Sequence, residues 1–162
     1  MRHPRIRVTG LGIVSSLGLG VHAVKQAVLS GTTGLTVVGH PDLPERHAPL
    51  PHLDLAALLP RYLPLDNAER VNKTIRRSST LARAGVLAAA QAWTDSGAER
   101  RIDPARVGVV GAGNNLTSAA AQDAFHRYDG RLSFASPRAA VDLLDTSLVS
   151  HIAAALNLQG HG

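Results

Sequence analysis

Two glycine pairs follow β-branched runs and are the first places where the sequence suggests chemistry: "VTGLGIVSSLG" at 8–18 and "VVGAGNNL" at 109–116. A strand ending in closely spaced glycines lets backbone amides approach a pyrophosphate at a helix N-terminus. That chemistry needs a third glycine three residues on, and the residues there are Ser15 and Leu116. Both pairs are therefore read as backbone turns at strand ends, where glycine relieves a steric restriction. No glycine is followed by Lys and then Ser or Thr, so a phosphate loop of that type is not expected either.

Other reactive side chains form no motif. Asp142 and Asp145 stand three apart and could share acid–base work, but Asp145 precedes "TSLVSHI" and reads as a helix-start residue. The eight histidines are dispersed. His47 and His52 are five apart in a proline-rich stretch, which is not a helical ligand pair, so no metal site is expected. His151 reads as a packing residue. No serine lies in a G-x-S-x-G elbow. The chain has no cysteine, which excludes a disulfide, a thiolate metal site and a cysteine nucleophile within it. These residues assign no catalytic, cofactor-binding or metal-binding position. Asn72-Lys73-Thr74 and Asn115-Leu116-Thr117 match a glycosylation acceptor, without a secretory signal to give the match meaning.

The elements that position these residues follow from patterning. "RIRVT" at 5–9 alternates charge with β-branched residues and predicts a strand. Residues 21–30 predict a short helix stopped by Gly31. Six prolines between 39 and 66 predict a long excursion loop, with only "LDLAALL" at 53–59 able to turn helically. The strongest helix signal runs over 68–96, with Ser78 or Ser79 as a cap and Gly97 as the stop. An Asp103–Pro104 turn leads into a buried strand at 107–111, whose apolar run suits a parallel sheet. Helices at 117–127 and 146–157 follow. The order β–α–loop–α–β–α–α predicts an α/β layered fold.

Composition narrows the class. Hydrophobic residues make up 44% of the 162, but aromatics only 3%, so Ala, Leu and Val must build the core. No apolar run approaches the ~18 residues of a membrane span. The N-terminal segment is not a signal peptide, since Thr9, Gly10 and Gly12 interrupt its apolar core. A cytoplasmic protein is the expectation. The net charge of +5 favours an acidic partner. The basic residues come as scattered pairs such as Arg76–Arg77 and Arg100–Arg101, without interleaved aromatics, so a nucleic-acid platform is not expected.

The order of the pieces carries a resemblance. "RIRVTGLGIVSSLGLGVHAVKQAVLSGTTGL" resembles the opening of β-ketoacyl-acyl carrier protein synthases. "RSSTLARAGVLAAAQAWTDSG" looks like the family's alanine-rich second helix and "DPARVGVVGAG" like its second strand. "LVSHIAAALNLQGHG" looks like the helix and glycine turn before its nucleophile segment. "GAGNN" at 111–115 and "LLDTS" at 143–147 look more like the ketosynthase-like proteins of polyketide β-branching cassettes, which decarboxylate a malonyl group on a carrier protein.

The resemblance implies an α/β, partial thiolase-type fold: the start of the first α/β half, layered helix–sheet–helix. Residues 1–162 would be the N-terminal portion of a β-ketoacyl synthase domain, with 39–66 an excursion loop within it. The nucleophile and the later catalytic residues would lie outside the chain, so it would be truncated or split and inactive alone. The implied function is acyl transfer, condensation or malonyl decarboxylation in fatty acid or polyketide biosynthesis. The implied partners are acyl carrier protein and a complementary ketosynthase fragment or full ketosynthase, in a dimer or hetero-oligomer. A non-catalytic subunit that binds a ketosynthase or carrier protein is the alternative.

Overall fold

The structure, a computed structural model, describes residues 5–40, 43–113, 118–128, 144 and 146–160. A small antiparallel ribbon comes first, β1 (Val14–Ser15) with β2 (Gly18–Leu19), and leads into helix α1 (Val21–Leu29). An antiparallel hairpin follows, β3 (Thr36–His40) with β4 (Leu43–His47), in the register Thr36↔His47 to His40↔Leu43. Then come α2 (Leu55–Leu58), a 3₁₀ turn (Leu59–Arg61), α3 (Leu65–Ile75) and α4 (Thr80–Ser96). Two further 3₁₀ turns, Ala98–Arg100 and Pro104–Arg106, precede α5 (Ser118–Tyr128) and α6 (Ser147–Leu156).

The core is helical and small-residue rich. Helix α4 buries Ala82, Ala84, Val86, Leu87, Ala90 and Gln91, while α3 adds Ala68, Val71 and Ile75 from one face at helical spacing. Leu59, Ile75, Leu87, Val71 and Val86 are the largest fully buried side chains. Each contributes roughly 1.5–3 kcal/mol by leaving water. Gly85 lets α6 approach α4 closely, since a Cβ there would collide with the Leu148 side chain. Trp93 packs at the edge of this cluster.

The helical signal over 68–96 divides into two helices. The chain breaks at Arg76–Ser79: the Ser78 amide returns to the Ile75 carbonyl, and the Ser79 hydroxyl accepts from the Ala82 amide as the N-cap of α4. Gly97, with φ 60°, ends α4 in the left-handed conformation that glycine adopts without strain.

The proline-rich stretch holds more regular structure than its prolines suggest. Pro60 lies in the first turn of the 3₁₀ helix and Pro64 at the N-cap of α3, where no amide is needed. Asp54 caps α2 by accepting from the Ala56 and Ala57 amides. Leu53, Leu55, Leu59 and Leu63 are all buried in the core. Only the first part of the stretch, with the hairpin, leaves the helical body.

The two predicted long strands need correction. Residues 5–9 and 107–111 carry no ladder among the described residues, and both sheets are two-stranded and antiparallel. A strand exists only with a hydrogen-bonding neighbour, and these segments find other partners or none. Ile6 is 94% exposed and Val110 91%. The Val107 carbonyl accepts from the Gly160 amide, and just before it the Pro104 carbonyl accepts from the Gln159 amide, so the segment after α6 is tied to this stretch without forming a ladder among the described residues. No described helix is long and apolar enough to cross a membrane.

Candidate functional site

The glycines of 8–12 serve packing. Residues 11–13 run along α4, and two side chains one helical turn apart receive their amides. Leu11 N–H donates to Asp95 Oδ2 at 2.9 Å, and Ile13 N–H donates to Gln91 Oε1 at 2.9 Å. The spacing is matched: four helical residues rise about 6 Å, and two extended residues about 6.6 Å. On the alternate positions, a Cβ at Gly12 would stand 2.8 Å from the Ala88 carbonyl carbon and 2.9 Å from the Ala92 nitrogen. One at Gly10 would stand 2.7 Å from the Ser96 nitrogen. Neither glycine has a positive φ. The expected turn is thus a close helix contact, and its selection is steric. A Cβ at Gly111 would likewise press on Val149 of α6 at 2.8 Å.

Beside this seam a cleft of about 440 Å³ opens at the start of α1, lined among others by His22, Tyr62, Gln91 and Asp95. Gln91 is 5% exposed, and its Nε2 has no hydrogen-bond partner among the described residues. The Ile13 amide demands an acceptor, so the amide orientation of Gln91 is set. Thr94 closes the adjoining rim by donating to the Tyr62 carbonyl at 2.6 Å.

The second arrangement lies at the α3–α4 corner, where α6 docks. Ser78 Oγ is 3.0 Å from His151 Nε2, and His151 Nδ1 is 2.5 Å from the Ser147 carbonyl oxygen. A carbonyl only accepts, so Nδ1 carries a proton toward Ser147, and Nε2 faces the Ser78 hydroxyl. Ser78 is 8% exposed and His151 half-buried. Arg70 reaches across from α3 to the Ala154 and Ala155 carbonyls and to Asn67 Oδ1. It satisfies carbonyls in the last turn of α6, where a cation is also favoured by the helix dipole. A small cavity of about 20 Å³ lies between these groups, lined by Arg70, Thr74, Ile75, His151 and Ala154 among others. Lys73, Arg76 and Arg77 are exposed around the corner.

The remaining sequence candidates stay apart. His47 ends β4 and His52 lies exposed beyond it. No three His, Asp or Glu side chains among the described residues gather as a metal site. Asn115, Leu116, Asp142, Asp145 and Gly162 lie outside the described residues. The Ser78–His151 pair spans 73 positions and matches no motif, so patterning had no means to find it.

Comparison with known proteins agrees with this architecture. The family model for the β-ketoacyl synthase N-terminal domain matches residues 3–161. The polyketide biosynthesis malonyl-ACP decarboxylase PksF of Bacillus subtilis (strain 168) is 25% identical over 146 residues, which cover 90% of this chain and 33% of that protein. The crystal structure of a β-ketoacyl synthase from Burkholderia phymatum STM815 superposes with a TM-score of 0.63 at 19% identity, over 95% of this chain and 37% of that one. The chain thus spans about a third of the length of both relatives. With its glycine-lined segment seated on an alanine-rich helix and a family match from end to end, the chain belongs to the β-ketoacyl synthase N-terminal domain family.

Proposed function

We propose that this chain is the opening part of a ketosynthase-type protein of carrier-protein-dependent polyketide or fatty acid biosynthesis, in which it provides scaffold and the nucleophile is supplied by a complementary portion. The observation that carries this reading is the pair of extended segments, 5–9 and 107–111, which expose Ile6, Val8 and Val110 without a ladder among the described residues. In a layered helix–sheet–helix half these would be two strands of one sheet. An unpaired strand edge favours association with further strands. The similarity to a malonyl-ACP decarboxylase supports malonyl decarboxylation over condensation as the reaction of the completed protein.

Covalent acyl chemistry needs nucleophile, base and oxyanion donors together, so this portion by itself should neither condense nor decarboxylate. The test is co-expression with the remaining two thirds of a related ketosynthase, followed by loading from malonyl carrier protein. A stable complex that decarboxylates supports the reading. Two soluble portions that neither associate nor turn over would sink it.

A non-catalytic docking role is favoured by a different observation, the exposed Lys73, Arg76 and Arg77 at one corner. An acidic carrier protein would be attracted there with a salt-dependent association rate. Reversing Arg76 and Arg77 to Glu should weaken binding at least tenfold at low salt. Unchanged binding rules out that corner as the docking surface.

A further inference from the structure

We propose that the exposed face of α1 and the cleft at its start form a docking surface for the complementary ketosynthase portion, which seats an apolar segment there and supplies a hydrogen-bond acceptor to Gln91. This docking rests on the ketosynthase reading above, on a surface separate from the segments 5–9 and 107–111.

Helix α1 has little support within this chain. It is nine residues long, its N-cap Gly20 makes no side-chain hydrogen bond, and it carries no acidic residue in its first turn and no basic residue in its last. A helix this short is marginal in water and takes its stability from packing an apolar face. Val21, Val24 and Val28 stand on one face at helical spacing, yet α1 buries none of its residues. Val28 is 61% exposed and Leu29 71%.

The cleft of about 440 Å³ shares Val21 with this face. Leu11 and Leu19 also line it, and so does Gln91. The Oε1 of Gln91 is committed to the Ile13 amide, which leaves Nε2 over. That nitrogen is desolvated and has no hydrogen-bond partner among the described residues. A buried donor without an acceptor is destabilising, and native proteins rarely keep one unpaired. An uncovered apolar helix face and an unsatisfied donor thus meet at one place, and a single docked element answers both.

The length of the relatives points to the occupant. This chain spans about a third of each, so a larger remainder has to pack against it. Exposed Leu11, Val28 and Leu29 offer that remainder apolar ground. The acceptor it brings to Gln91 is a backbone carbonyl or a carboxylate.

The experiment co-expresses the chain with the remaining two thirds of a related ketosynthase and compares the wild type with the paired variant Val28→Lys and Leu29→Lys. Both side chains are exposed, and lysine suits the last turn of a helix, so the variant should keep the circular dichroism of the wild type. Its association should weaken about tenfold or more. The α1 amides should exchange about tenfold more slowly in the wild-type complex than in the chain alone. With isotope-labelled glutamine, the Gln91 side-chain amide proton should move downfield on association. A complex that forms as tightly with the variant, and leaves α1 exchanging at its free rate, overturns the docking surface while the ketosynthase reading stands. An unmoved Gln91 resonance in a formed complex removes the acceptor. Failure of the two portions to associate at all ends both the surface and that reading. A wild-type chain that dimerises by itself, with the variant monomeric, also overturns the proposal, because the occupant is then a second copy.

Discussion

The seam between residues 10–13 and α4 and the exposed stretch at 5–9 belong to one continuous segment, yet they differ in every physical respect. Along 10–13, alternate residues are glycines against the helix backbone, and the intervening amides donate to Gln91 and Asp95. Along 5–9, Ile6 and Val8 face solvent at 94% and 80% exposure. The first part is held by the helix within this chain. The second has the composition of a buried strand and none of the burial. The contrast teaches that a strand-forming sequence is only a capacity, realised by whichever neighbour offers hydrogen bonds and a surface.

The comparison can be broken most forcefully at Gly12. An added Cβ meets helix backbone, which cannot rotate aside, so Gly12→Ala should destabilise by about 3 kcal/mol, the upper part of the overpacking range. Urea denaturation would read this as a lower midpoint with an unchanged slope. A loss below about 0.5 kcal/mol would show that the seam does not hold the helix closely.

Comparable in size is Leu87→Ala in the centre of α4. Leu87 is fully buried, and the substitution should cost about 2–5 kcal/mol. Replacing Ser79 with Ala removes the cap of α4 and should cost about 1 kcal/mol, read as a shift in thermal midpoint.

The smallest effect belongs to the other side of the comparison. Ile6→Ser in the chain alone should change stability by less than about 0.5 kcal/mol, because the side chain is already in water. The same variant should lose association with a complementary ketosynthase portion in a pull-down. A large stability loss in the chain alone would place Ile6 in a buried contact and end the contrast.

The helices were legible because their stops and starts are chemical. Gly31 follows α1, Ser79 caps α4 and Gly97 ends it, and each acts within a few residues of the backbone it serves. The break between α3 and α4 was half legible: Ser78 and Ser79 both read as caps, and only the fold assigns the cap to Ser79 and turns Ser78 toward His151. The core role of Leu53, Leu55, Leu59 and Leu63 was hidden by their prolines, which signal irregular chain while Pro60 and Pro64 in fact begin helices. Gly10 and Gly12 were read as a turn at a strand end, and their partner, the backbone of α4 some 80 residues away, left no local mark.

The amino-acid sequence by itself determined the helices, their caps, the absence of any cysteine chemistry and the kinship of the chain, because these rest on local hydrogen bonding, composition and the order of motifs. Only the tertiary structure decided that Gly10 and Gly12 serve helix docking, that Gln91 and Asp95 receive strand amides, and that Ser78 meets His151. Those contacts join residues 73 to 84 positions apart. At such separations it is the packing of whole elements that brings groups within 3 Å, and no local spacing encodes it.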